Sequence, residues 1–305
     1  MIRWECRRRG ATLIELLLVL AIVTLLVSIT MPAVLSAREA SRRVQCQNRI
    51  RNLAMGFSLL ESKFGVFPGN GGFRPGSEIQ NDSGEFVKIY TDDLEAELFY
   101  QWGVANPDLD VRQQTAAWSY SILPEVEQPV PHDRLQIDAP LPLFRCPSRA
   151  RSKSEKTQND VHGRYGSAGL VWTKTDYCGN STMTPNLPLT LRHADVLRGT
   201  SHTILLGEKA FDPLVQVATS WYWDEPLFTG GSKGTARSGL RILPDRPGIP
   251  FKENWGSAHP GGVQFAKVDG SVAFVNGSVD WEVLRDLLTV RDIPAPIDDI
   301  QEGSE

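Results

Sequence analysis

Clustered metal ligands, a hydrolase nucleophile motif and an excess of basic charge are all missing from this sequence. Its four cysteines, Cys6, Cys46, Cys146 and Cys178, include no Cys-x-x-Cys spacing, so no zinc site can be read from the cysteines. His259 has no second histidine or carboxylate at ligand spacing, and no run of aspartates with carbonyl donors suits calcium. We therefore expect no metal and no cofactor. A hydrolase using His259, Asp269 and Glu208 would want a nucleophile motif such as G-x-S-x-G, which is absent, so no catalytic residue is expected and the chain does not read as an enzyme. A formal charge of −4 gives nucleic acid no electrostatic foothold.

Long hydrophobic runs are also scarce; there is one. Arg7-Arg8-Arg9-Gly10 precedes an apolar segment from Ala11 to Met31 that a single carboxylate, Glu15, interrupts. About 20 apolar residues at roughly 1.5 Å each cross a bilayer core of about 30 Å. An ionisable group in such a helix costs roughly 2.5–3.5 kcal/mol on insertion scales and is by default functional. Two plainer readings compete. One is a secretory signal peptide with Val34-Leu35-Ser36-Ala37 as its cleavage site, although the apolar run exceeds the usual 7–15 residues. The other is a simple anchor. Arginines flank the segment on both sides, Arg3 and Arg7–Arg9 before it and Arg38, Arg42, Arg43, Arg49 and Arg51 after it, so loop charge does not set orientation.

The stretch Arg7-Arg8-Arg9-Gly10-Ala11-Thr12-Leu13-Ile14-Glu15-Leu16 resembles the leader of type IV prepilins and pseudopilins. The resemblance implies cleavage between Gly10 and Ala11 by a prepilin peptidase and methylation of the new amine. It also implies that Glu15 pairs with the amine of a neighbouring pilin-like subunit during assembly. Ala11 departs from the phenylalanine usual after the cut, which bears on methylation more than on cleavage. The implied partners are the peptidase, other pilin-like subunits and inner-membrane lipid, with the N-terminus inside and the head extracytoplasmic. Residues 1–10 carry a net +3, so the chain beyond them carries −7 against −4 for the whole.

Beyond Pro32, residues 33–64 still read as helix. Ile50, Leu53, Phe57, Leu60 and Phe64 recur every three or four positions and form an apolar stripe, which Gly65 and Pro68-Gly69 end. A helix of about 54 residues, roughly 80 Å long, would lie half in lipid and half on the head. The next segment is less legible. Asn81-Asp82-Ser83-Gly84 reads as a turn and Asp92 to Trp102 has helical spacing. Residues 124–147 hold six of the twenty prolines, too many for central strands. Thr203–Glu208 reads as a buried strand, with Glu208 a candidate buried, paired carboxylate. The stretches 263–268 and 271–275 alternate around Asp269-Gly270, which predicts a hairpin with a two-residue type I′ turn. Gly261-Gly262 suits a close backbone approach or a bulge. His259 is expected to be structural, the alternative being a site shared with Asp269 and Glu208. Trp221-Tyr222-Trp223 reads as a half-buried strand, Trp281–Leu288 as a short helix, and the acidic tail 294–305 as disordered.

Four ordered motifs add a second resemblance: Phe144-Arg145-Cys146-Pro147-Ser148, Asp176-Tyr177-Cys178-Gly179-Asn180, Gly199 to Glu208, and His259 followed, with nine residues between, by Asp269-Gly270. Together with the leader they resemble the DUF1559 family of prepilin-like proteins, whose signature is His-x9-Asp-Gly and which has no assigned activity to carry over. The expected fold is α+β: a long N-terminal helix, transmembrane then amphipathic, packed on an antiparallel, pilin-like head. The expected segments are a leader 1–10, a transmembrane half 11–31, an amphipathic half 32–64, a head 65–293 and a tail 294–305. An oxidising compartment permits disulfides. Cys6 leaves with the leader, and Cys146–Cys178 is the preferred pair because both should lie in the head. The expected function is that of a structural subunit of a type II secretion or type IV pilus-like filament. The alternative is a membrane-tethered extracytoplasmic protein that binds a solute or polymer.

Overall fold

A computed structural model of the chain describes residues 12–149, 155–157, 159, 161–213 and 226–291. It divides into two compact units, Met1–Val44 and Gln45–Glu305, and its class is α+β. The expectations for Gly10, Ala11, Trp221–Trp223 and the tail fall outside the described residues.

The first unit is occupied by the beginning of a single helix, Leu13–Phe64, which carries Pro32 inside it. Its apolar side chains from Leu13 to Leu35 are exposed, and this part is long and apolar enough to cross a membrane. Thr24, Ser28 and Thr30 each donate a hydroxyl hydrogen bond to a carbonyl three or four residues back, so their polar atoms need no outside partner.

In the second unit the same helix has its apolar stripe buried. Ile50, Leu53, Phe57 and Leu60 are at most 2 % exposed, as the periodicity predicts, and the stripe begins one turn earlier, at buried Cys46. Phe57 stacks obliquely on Trp118, 5.2 Å between ring centres. The helix ends where expected, with the Gly65 amide bonded to the Glu61 carbonyl and Gly65 at φ +70°, a conformation that glycine adopts without strain.

The central sheet has five strands in the order Ala236–Arg237, Tyr177–Asn180, Ile204–Glu208, Gly262–Lys267, Val272–Asn276. Only the short first strand runs parallel to its neighbour. One face packs into the large core that holds Cys46, Phe57, Tyr177 and Leu206. The other carries a smaller cluster with Cys178, Ile204, Trp255, Phe265 and Leu284. Leu284 comes from the expected helix Trp281–Leu288, which Asp280 caps by accepting the Glu282 amide.

The remaining strands form smaller sheets of two or three strands. The Asn81–Gly84 turn closes a hairpin of Glu78–Gln80 with Phe86–Lys88. Asp92 to Trp102 is a hairpin as well, Tyr90–Asp93 against Leu98–Gln101, and not the helix its spacing predicts. Its aromatic residues meet on the hairpin, Tyr90 against Phe99 across the strands and Tyr100 against Trp102 along the chain, and the Trp102 indole donates to the Thr91 hydroxyl. The proline-rich stretch forms single turns: Pro124, Pro129 and Pro142 each open a short helix, where a missing N–H leaves nothing unpaired.

Candidate functional site

Four buried side chains from distant parts of the chain converge in the second unit. Cys46 comes from the long helix and Cys146 from the loop after the Pro142–Phe144 turn. Glu208 ends its central strand, and His259 lies in the loop before Gly262–Lys267. One donor atom of each, sulfur, carboxylate oxygen or ring nitrogen, lies within 4.8 Å of all the others. Cys46 Sγ donates to Glu208 Oε1 at 3.1 Å and is 3.1 Å from the Tyr177 hydroxyl. His259 Nε2 is 3.5 Å from Cys146 Sγ and 3.5 Å from Glu208 Oε1. The Glu208 and His259 side chains have no exposed surface.

The backbone explains the convergence. Ile204 and Leu206, two residues apart, should share a sheet face, yet Ile204 packs in the small cluster and Leu206 in the large one. A register shift between them turns the strand, as a bulge does. Glu208, two residues further, therefore faces the long helix with Leu206. On the next strand Tyr177 faces the same way and Cys178 the opposite way, since successive strand residues alternate. His259 is aimed by the glycines after it. Gly261 has φ +88°, and a Cβ on Gly262 would fall 2.1 Å from the Val275 carbonyl oxygen.

A surrounding layer fixes the four groups. The Gln264 amide donates to Glu208 Oε2 at 3.0 Å, leaving Oε1 to face the other three. The Cys146 amide donates to Asp176 Oδ2 at 2.5 Å. Arg49, one helical turn beyond Cys46, donates to the Arg145 carbonyl at 2.7 Å, which ties helix to loop. Buried Arg149 pairs with Asp245 at 2.8 Å, lies 3.6 Å from Asp176, and reaches the Lys209 and Gly256 carbonyls.

The electrostatics follow from this packing. The contact with Cys46, then that with His259 and the Arg149 charge, brings the Cys146 thiol down to about 5 against the effect of burial. The same contact, with burial and the Glu208 charge, holds the Cys46 thiol far above its ordinary value. Burial, and then the Cys146 charge, pushes Glu208 up to about 7 despite His259 and Arg149. Two sulfurs, an imidazole nitrogen and a carboxylate oxygen form a donor set for a borderline metal ion.

A family model of proteins of unknown function, DUF1559 (SBP_bac_10), matches residues 35–282. The chain belongs to the DUF1559 family. All four converging residues lie inside the matched stretch, as do Asp269 and Gly270, whereas Gly10, Ala11 and Glu15 precede it. No curated protein and no solved structure matches the chain.

In this DUF1559 protein the residues of the expected motif, His259 and Asp269-Gly270, do not come together. His259 enters the buried cluster, while Asp269 sits at the other end of the Gly262–Lys267 strand, about 20 Å away at ~3.4 Å per residue. The hairpin is present, but its turn is not type I′. Gly270 has φ +80°, Asp269 is not in the positive-φ region, and the Lys267 amide bonds to Ser271 across three loop residues. Asp269 accepts from the Ser271 amide, a turn-stabilising role. The expected Cys146–Cys178 bridge is not formed, and Cys46, Cys146 and Cys178 are all free thiols. Cys146 joins the cluster on the helix side of the sheet. Cys178 points into the small apolar cluster beyond it, where burial pushes its thiol up to about 11.

Sequence reasoning missed Cys46 as a site residue. It also set His259 aside for want of a ligand at nearby spacing, although the partners come from three distant segments. One signal for Cys46 was available: it stands four residues before Ile50 and so continues the buried stripe. Glu15 is a further finding. Its carboxylate accepts from the Thr12 amide at 2.8 Å and the Thr12 hydroxyl at 3.0 Å, and the Glu15 amide donates back to that hydroxyl at 3.3 Å. This is a reciprocal capping box at the start of the helix.

Proposed function

We propose that this DUF1559 protein is a prepilin-like structural subunit. A prepilin peptidase cuts it after Gly10, residues 11–31 hold it in the inner membrane, and its head stands outside the cytoplasm. There it joins pilin-like subunits in a filament of the type II secretion or type IV pilus kind, and it is not an enzyme. The observation that carries this reading is the helix Leu13–Phe64. Its first part exposes apolar side chains and bears one carboxylate, Glu15, in the first turn, and its last part buries one face, from Cys46 to Leu60, in the head. The inward-bonded hydroxyls of Thr24, Ser28 and Thr30 suit a lipid environment, where every polar group needs an internal partner. A carboxylate at that depth gains most from a cation that arrives with a neighbouring subunit, and the free amine of Ala11 created by cleavage is such a cation.

Cross-linking in membranes tests this reading. Glu15→Leu should insert and be cleaved as wild type is, yet its cross-links to other pilin-like subunits should fall sharply, with Glu15→Asp in between. Undiminished cross-linking of the Leu variant would instead favour a tethered head that binds a solute or polymer.

A further inference from the structure

We propose that Cys46, Cys146, Glu208 and His259 form a closed site for one borderline divalent transition-metal ion of the zinc type. Cys46 Sγ, Cys146 Sγ, Glu208 Oε1 and His259 Nε2 would be its four ligands. The site is independent of the filament reading.

Geometry is the first support. Bond lengths of about 2.3 Å to sulfur and about 2.0–2.2 Å to nitrogen or oxygen put neighbouring ligands of a tetrahedral zinc ion roughly 3.3–3.8 Å apart. The separations are 3.1 Å for Cys46 Sγ to Glu208 Oε1 and 3.5 Å for His259 Nε2 to each of Cys146 Sγ and Glu208 Oε1, with all four atoms inside 4.8 Å. An ion can enter this set with small side-chain rotations.

Chemistry is the second. Two thiolates disfavour magnesium and calcium, which prefer all-oxygen shells, and with one imidazole they favour zinc or a metal of similar softness. Four protein ligands in a site without solvent exposure leave no position for a substrate, so the metal would be structural. The outer layer matches what metal sites need. A backbone amide holds the second oxygen of Glu208, Asp176 holds the Cys146 amide, and buried Arg149 acts on both Cys146 and Glu208. Arg149 is itself held by Asp245 at 2.8 Å and Asp176 at 3.6 Å, so it is a fixed part of this layer. Such outer contacts orient ligands and raise affinity.

The topology gives the ion its purpose. The ligands come from the helix, a loop, a central strand and the loop before the next strand, so one ion would staple the helix end of the head to its sheet. Metal binding of this kind is folding free energy.

The test is metal analysis of the full chain, purified in mild detergent without chelator. About one equivalent of zinc-type metal per chain is expected, lost in His259→Ala and in Cys146→Ser and retained in Asp269→Ala and Cys178→Ala. The variants could lose metal by misfolding, so wild-type protein is also stripped and refilled with cobalt(II). Thiolate-to-cobalt charge transfer and tetrahedral ligand-field bands should then appear. Three outcomes would overturn the proposal: no metal bound or taken up by wild type, metal that persists in both ligand variants, or an unreduced mass two hydrogens low with Cys46 bridged to Cys146.

Discussion

Glu15 combines a local role with the one proposed for assembly, and two substitutions separate them. Glutamine at the third helical position can still complete a capping box with Thr12, whereas it carries no charge for a neighbour's amine. Glu15→Gln should therefore start the helix and insert normally, yet lose subunit cross-links as fully as Glu15→Leu. Wild-type cross-linking by the Gln variant would show that capping alone explains the residue. The same scale shows why the candidate site was only partly legible. Glu208 was visible as a polar end to an apolar run, and His259 as part of a signature. Their meeting with Cys46 and Cys146 was not, because it depends on contacts across 162 and 113 residues that no local spacing encodes. Asp269, a partner of His259 only in the alternative reading, is separated from it for the opposite reason. It lies close to His259 in sequence and is carried away from it by a six-residue strand.

Among the elements, the stripe of the long helix was legible because burial on one side imposes the 3.6-residue period that Ile50, Leu53, Phe57 and Leu60 display. Phe57 has no exposed surface, and truncating such a side chain removes about 3–5 kcal/mol. Phe57→Ala should lower the unfolding temperature of the full chain in detergent clearly, and an unchanged transition would place the stripe elsewhere. The bulge between Ile204 and Leu206 left no trace in the sequence, since both residues are apolar and suit either face. The glycine pair before the hairpin was legible as a close approach, and its two members are predicted to differ. At Gly261 an added Cβ meets nothing within 4 Å, so Gly261→Ala should cost only the left-handed backbone, roughly 1–2 kcal/mol. At Gly262 the Cβ would overlap a backbone carbonyl that cannot rotate aside. Gly262→Ala should therefore unfold at a lower temperature than Gly261→Ala, and the reverse order would contradict this placement of the His259 loop.

For the whole molecule, α+β class and the long helix were readable from one apolar run, one stripe and a few alternating strands. The order of the five-stranded sheet was not, because neighbouring strands come from segments as far apart as 204–208 and 262–267. A cleaved, membrane-held helix is what would make this DUF1559 protein a subunit able to pair with others. The most direct test of this is the N-terminal sequence and intact mass of the protein extracted from membranes. A mature chain that begins at Ala11 is the predicted result. A chain that begins at Arg38, after removal of the whole apolar segment, would contradict it, as would one that retains Met1 and the uncut leader.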